Sequence, residues 1–274
     1  MFTLIVGTGY TGRRVLESLP WEQAAGLNRS PVDSEHEVLS YDLDSRASLP
    51  IELPDDYSVV YTVPPGSGEF GRGAFLDELK PLPRRFVYVS TTGVYGNRHG
   101  AIVTEMTRPR PDNEMSRRRA AAERLLLEWA AFEGVSLVIL RVPGIYGPGR
   151  LGLDRIAEAV PVLREEDANP GNRIHVDDLV RCCVAALDED VPAGIYNVGD
   201  GNQRSTTWFM QEIARQADLP PPPEVTLDEA KETFSEMRLR FLTESRRVDT
   251  TKMREVLGVT PTYADPREGI KASL

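Results

Sequence analysis

The sequence predicts an α/β protein built on a doubly wound parallel sheet, with a smaller C-terminal lobe over it. Three observations carry this expectation. The chain opens on an apolar strand, a glycine turn and a helix start; further buried-strand runs then alternate with helical stretches; and the last third is less regular. With 274 residues, 41% hydrophobic and 27% charged, the chain can bury a sizeable core. A formal net charge of −10 without a basic block argues against nucleic acid or an anionic membrane as the main partner.

The first unit is the most specific. Phe2 to Val6 reads as a buried strand, and Gly7-Thr8-Gly9-Tyr10-Thr11-Gly12 follows it directly into an amphipathic stretch ending near Pro20. Gly7 permits the tight turn, Gly9 lets a pyrophosphate approach the backbone, and Gly12 lets helix and strand pack closely. The free N–H groups at the helix start then face the phosphates. This is the context a dinucleotide site requires.

The next strand, Gln23 to Asn28, ends in Asn28-Arg29-Ser30. An acid at this end would bind a ribose 2′-hydroxyl, whereas Arg29 suits a 2′-phosphate, so NADP is expected, with NAD as the alternative. Val38 to Tyr41 is a strand leading to Asp42-Leu43-Asp44, placed to meet the adenine edge. Ser58 to Val63 is another, stopped by Pro64-Pro65-Gly66, because proline cannot continue a ladder. Phe86 to Ser90 ends in Thr91 to Gly96, whose small hydroxyls lie where parallel sheets bind ligands. Glu114 to Phe132 is a long helix with arginines at 117, 118 and 119, and Ser136 to Arg141 is a sixth strand closing into Val142 to Arg150.

Beyond it, Asn172 to Asp178 precedes a helix running to about Leu187, Ile195 to Val198 is a strand, and Ser205 caps a helix through Ala217. Cys182 and Cys183 are adjacent and cannot staple distant segments. With no secretory pattern before the first strand and no apolar run of membrane-spanning length, a reducing cytoplasm is the expected compartment. No Cys/His group has metal-ligand spacing, so no metal is expected.

Four stretches in this order, Gly7 to Gly12, Ser90 to Gly96, Arg141 to Gly149 and Arg173 to Asp178, resemble the extended or atypical short-chain dehydrogenase/reductases of the NAD-dependent epimerase/dehydratase group. The resemblance spans nearly the whole chain, including Tyr196-Asn197-Val198 and a late helix at Thr250 to Leu257. It implies a Rossmann domain over residues 1–165 and a substrate lobe over 166–274, with 172–200 returning to the Rossmann domain. It also implies a small-molecule substrate of nucleotide-sugar type and a homodimer. The cofactor contacts expected are Gly7, Thr8, Gly9, Tyr10, Thr11, Gly12, Arg29, Asp42, Leu43, Val63, Pro64, Pro65, Ser90, Arg119 and Pro143.

The chain departs from this family at the reacting centre. The group uses a Ser or Thr, a tyrosine, and a lysine four residues after the tyrosine. Thr91 matches the hydroxyl, but Arg119-Ala120-Ala121-Ala122-Glu123 places Met115 at the tyrosine and Arg119 at the lysine. A thioether moves no proton in the working pH range. Tyr95, Tyr146 and His175 are the candidates to replace it, and with Thr91 the last two form the expected reacting set. Arg150, Arg173, Arg240 and Arg247 are candidates to grip a phosphate or carboxylate. Two readings follow: an oxidoreductase or epimerase with an altered proton relay, or a non-catalytic dinucleotide-binding sensor or structural protein.

Overall fold

A computed structural model describes residues 1–44, 48–66 and 74–274. Its strands are β1 (Phe2–Val6), β2 (Ala24–Asn28), β3 (Glu37–Ser40), β4 (Tyr57–Tyr61), β5 (Arg85–Thr91), β6 (Ile102–Val103), β7 (Ser136–Val142), β8 (Gly144–Tyr146), β9 (Val162–Leu163), β10 (Arg173–His175), β11 (Gly194–Asn197), β12 (Glu224–Val225) and β13 (Arg247–Val248). The helices are α1 (Tyr10–Glu17), α2 (Ala74–Asp77), α3 (Glu114–Glu133), α4 (Leu153–Ala157), α5 (Val176–Ala185), α6 (Thr206–Gln216), α7 (Leu227–Thr233), α8 (Glu236–Thr243), α9 (Thr251–Glu255) and α10 (Pro266–Ser273).

Seven strands form one sheet in the order β3-β2-β1-β4-β5-β7-β11, and every pairing in it is parallel. The order reverses at β1, so the carboxyl ends of β1 and β4 open a crevice. Side chains alternate between the two faces. Ile5, Val60, Val87 and Leu140 pack with Val15, Leu179, Cys182 and Met253 in one buried cluster, while Leu4, Val59, Phe86 and Ile139 pack with Leu126 and Ala130 in another. Both cysteines are fully buried in the first cluster, and burial pushes the Cys183 thiol up to about 12, which leaves it inert. Among the described residues no helix is long and apolar enough to cross a membrane.

The helix ends follow from local chemistry. Asn113 starts α3 by accepting a bond from the Ser116 N–H at 2.9 Å, and Gly134, at φ +73°, ends it. Ser205 caps α6 through the Trp208 N–H.

β9 pairs with β12, and Ile156 of α4 packs with Ile213, Ala214 and Ile270, so residues 153–163 go with the lobe. β11 lies on the sheet edge beside β7, and Leu179 and Cys182 of α5 share the core cluster of Val15.

Candidate functional site

The glycine turn is fixed by main-chain geometry. Gly7 has φ +89°, and a Cβ on it would stand 2.5 Å from Val63 Cγ2. At Gly12 a Cβ would lie 1.9 Å from the Gly7 carbonyl oxygen, whereas at Gly9 it would meet nothing within 4 Å. The turn is therefore closed on the protein side and open on the crevice side at Gly9, as an approaching phosphate requires. Thr62 holds it in place, its hydroxyl donating to the Gly7 carbonyl at 2.7 Å. Thr8 Oγ1 is buried without a hydrogen-bond partner. A cavity of about 350 Å³ runs from here, lined by Gly7, Gly9, Arg29, Asp42, Leu43, Val63, Pro64 and Pro65 together with Asn28, Tyr41, Tyr61 and Thr62. These residues fit a dinucleotide. The last four were not anticipated, because strand-end residues read as core until the sheet order is known.

Arg29 is an exposed rim residue of this cavity. Its carbonyl accepts from Ser40 Oγ at 3.2 Å, and the Asn28 side chain donates to the Ser30 carbonyl at 2.8 Å. The backbone at the end of β2 is thus tied down.

The carboxyl ends of β5 and β7 carry the second part. Thr91 Oγ1 accepts from the Gly93 N–H at 3.1 Å. Met115, in the first turn of α3, is 74% exposed. Arg119 turns inward and donates to the Val89 carbonyl at 2.7 Å. Ser90 is buried, not open to the crevice; its hydroxyl donates to Glu123 Oε1 at 2.5 Å. Glu123 pairs with Arg141 at 2.7 Å with both side chains buried, and the Arg141 guanidinium stands 4.8 Å from the Tyr95 ring centroid. Tyr95 in turn donates to Asn197 Oδ1 at 2.6 Å. Burial raises the Tyr95 pKa, so it keeps its proton within a structural chain. Pro143 lies apart from the main cavity, against Asn172, Arg173 and Asp200.

Tyr146 and His175 come together, ring centroids 5.2 Å apart, but in a buried layer between β8, β10 and the lobe. His175 Nδ1 accepts from the Asp177 N–H at 3.2 Å and so caps α5, while Nε2 meets Ser273 Oγ at 3.0 Å. That hydroxyl donates to the Gly269 carbonyl, so Nε2 carries the proton. Burial lowers the His175 pKa and keeps the ring neutral. Among the described residues the buried Tyr146 hydroxyl has no hydrogen-bond partner, nor do Arg173 Nη1 and Asp200 Oδ2. Burial raises the Tyr146 pKa and pushes the Asp200 carboxyl up to about 7, against the lowering effect of Arg173.

A pH dependence follows from Asp200. The unfolded carboxyl ionises near its ordinary 3.8, while the folded one holds its proton to about 7, so the folded state binds more protons in between and stability falls as pH rises through that window. Asp200→Asn is expected to flatten this fall, gaining about 1–3 kcal/mol on the native protein between pH 5 and pH 8. Urea unfolding of both proteins at the two pH values checks it; parallel curves would refute it.

The chain has a Rossmann fold, and its glycine turn and crevice have the geometry of a dinucleotide site. Residues 75–199, a little under half of the chain, match the profile of the NAD dependent epimerase/dehydratase family. It is 28% identical over 159 residues to a 3-diazoavenalumate denitrifying reductase of Streptomyces sp, covering 56% of this chain and 51% of that protein, so it spans about half the length of this relative. Among solved structures, a functionally unknown conserved protein from Silicibacter pomeroyi DSS superposes with TM-score 0.82 at 29% identity, covering 99% of this chain and 98% of that one. MoeE5, solved in complex with UDP-glucose and NAD, shares the fold at TM-score 0.78 and 20% identity, covering 100% of this chain and 97% of that one.

Proposed function

We propose that the protein is an NADP(H)-linked oxidoreductase or epimerase acting on a small organic or nucleotide-sugar-like substrate held between sheet and lobe. The observation that carries this reading is the open glycine turn continuous with a cavity that has Arg29 on its rim. Relatives support the chemistry: one is a reductase, and MoeE5 was solved with NAD and UDP-glucose. A bound nicotinamide would supply or accept hydride. The chain's own part is to cradle the phosphates at Gly9, engage a 2′-phosphate through Arg29 and present the Thr91 hydroxyl to the reacting oxygen.

The proton relay is not the family's usual one, since Met115 cannot titrate. The exposure of Met115 favours the second reading, a dinucleotide-binding sensor, at this one position. Exposed Leu127 and Phe132 on α3 support pairing of two copies through that helix, and the buried thiols suit a reducing cytoplasm.

Calorimetric titration with NADPH and NADH tests the reading. Micromolar NADPH binding, preferred over NADH, is expected. Arg29→Asp is expected to weaken NADPH at least tenfold, about 1.4 kcal/mol, and to leave NADH within threefold. Unchanged preference would place Arg29 in solvent, and turnover of NADPH with sugar nucleotides or carbonyls separates enzyme from sensor.

A further inference from the structure

The structure separates the four arginines that stand out as anion ligands. Arg173 is buried and donates to the carbonyls of Arg204 and Ser205. Arg240 pairs with Glu236 at 2.8 Å, and Arg247 donates to the Gly100 carbonyl at 2.7 Å. Arg150 is different. Its guanidinium stands 3.9 Å from the centroid of the Tyr10 ring, and that of Arg14 stands 4.1 Å from the same centroid.

Both guanidiniums thus pack against the one Tyr10 ring. The ring is pinned: its hydroxyl donates to the Pro148 carbonyl at 3.0 Å. At Gly147 a Cβ would come within 2.7 Å of that hydroxyl, so the close approach of this loop needs a glycine. Among the described residues neither Arg14 nor Arg150 has an ion-pair partner. Arg14 donates only to the Tyr10 carbonyl, at 2.8 Å. Asp177 lies 3.5 Å from His175 Nδ1.

Stacking on the ring accounts for where the two cations sit, but it does not neutralise them. Like charges held close together repel, and the charged pair gains most from an anion that both can reach. Tyr10 directly follows Gly9 and opens α1.

We propose that Arg14 and Arg150, both packed against the Tyr10 ring, form a phosphate-binding subsite at the edge of the glycine cradle. The phosphate belongs either to the dinucleotide or to a phosphorylated substrate beside it; the first source rests on the function proposed above.

The test is calorimetry with inorganic pyrophosphate, on the free protein and on protein saturated with NADPH, alongside NADPH titration, for the native chain, Arg150→Ala and Arg14→Gln. Both side chains are at least partly exposed, and unchanged thermal unfolding would show that the variants fold. Each substitution is expected to weaken pyrophosphate binding to the free protein at least tenfold. If NADPH weakens in parallel, the subsite serves the dinucleotide. If NADPH is unchanged and only pyrophosphate binding to the saturated protein is lost, it serves a substrate phosphate. Native-like pyrophosphate affinity in both variants, or no pyrophosphate binding by the native chain, overturns the proposal. Failure of the native chain to bind NADPH would overturn the proposed function instead, and the pyrophosphate titration of the free protein would still decide the subsite.

Discussion

Gly12→Ala is expected to abolish measurable dinucleotide binding and to cost the fold about 3–5 kcal/mol. The added methyl would sit 1.9 Å from the Gly7 oxygen and 3.0 Å from both the Gly7 carbon and Thr62 Oγ1. None of these neighbours is the free end of a flexible side chain. The Gly7 N–H is bonded to the Leu27 carbonyl at 2.8 Å, and its own carbonyl is held by Thr62. Relief would require α1 to move away from β1, which opens the core around Val15 and Leu16. Gly9→Ala is the matched control. Its methyl meets nothing within 4 Å among the described residues, so stability should stay within about 1 kcal/mol while NADPH affinity falls, because the methyl occupies the approach of the phosphates. Urea unfolding and NADPH titration of both variants give the answer, and a Gly12→Ala protein as stable as the native one would disprove the packing account.

Breaking the buried ion pair should be nearly as costly. Glu123→Ala leaves the Arg141 guanidinium, 2% exposed at its side chain, without its carboxylate, and the expected loss is about 3–5 kcal/mol. Both Nε and Nη2 of Arg141 bond to Glu123, and Ser90 would lose its acceptor as well. The double substitution Glu123→Leu with Arg141→Met should recover most of the loss, since a charge is then no longer stranded in the core. A double-mutant cycle by urea unfolding measures this. If the double variant is no better than Glu123→Ala, the pair contributes more than mutual neutralisation, and the Tyr95 contact becomes the next suspect.

Much of the scaffold is legible in the sequence because its signals are local. The glycine turn, the apolar strands and the caps at Asn113 and Ser205 each depend on residues within a few positions of one another. What stays hidden depends on distant partners. β6 with β13, and β9 with β12, are two-residue strands, too short to show any periodicity, and they exist only because another segment lies alongside. That is why residues 153–163 look like part of the first domain.

The candidate site divides along the same line. Arg29 and the residues after β4 lie where strand ends place them, on one cavity. His175 and Tyr146 have the right chemistry for proton transfer, but a sequence does not show that a ring nitrogen caps a helix or that a hydroxyl faces Gly269. Nor does it show that Tyr10, expected as a cofactor contact, carries two guanidiniums against its ring.

The interleaving of lobe and sheet has a further consequence. The chain leaves the sheet after β7 to build β8, α4 and β9, returns through α5 and β11, leaves again for α6 and β12, and comes back at α9, whose Met253 packs in the sheet's core. α10 then joins the lobe cluster through Ile270. No single cleavage can therefore release the lobe as a fragment. Altering what the crevice accepts means redesigning individual connecting segments in place, because there is no module to graft.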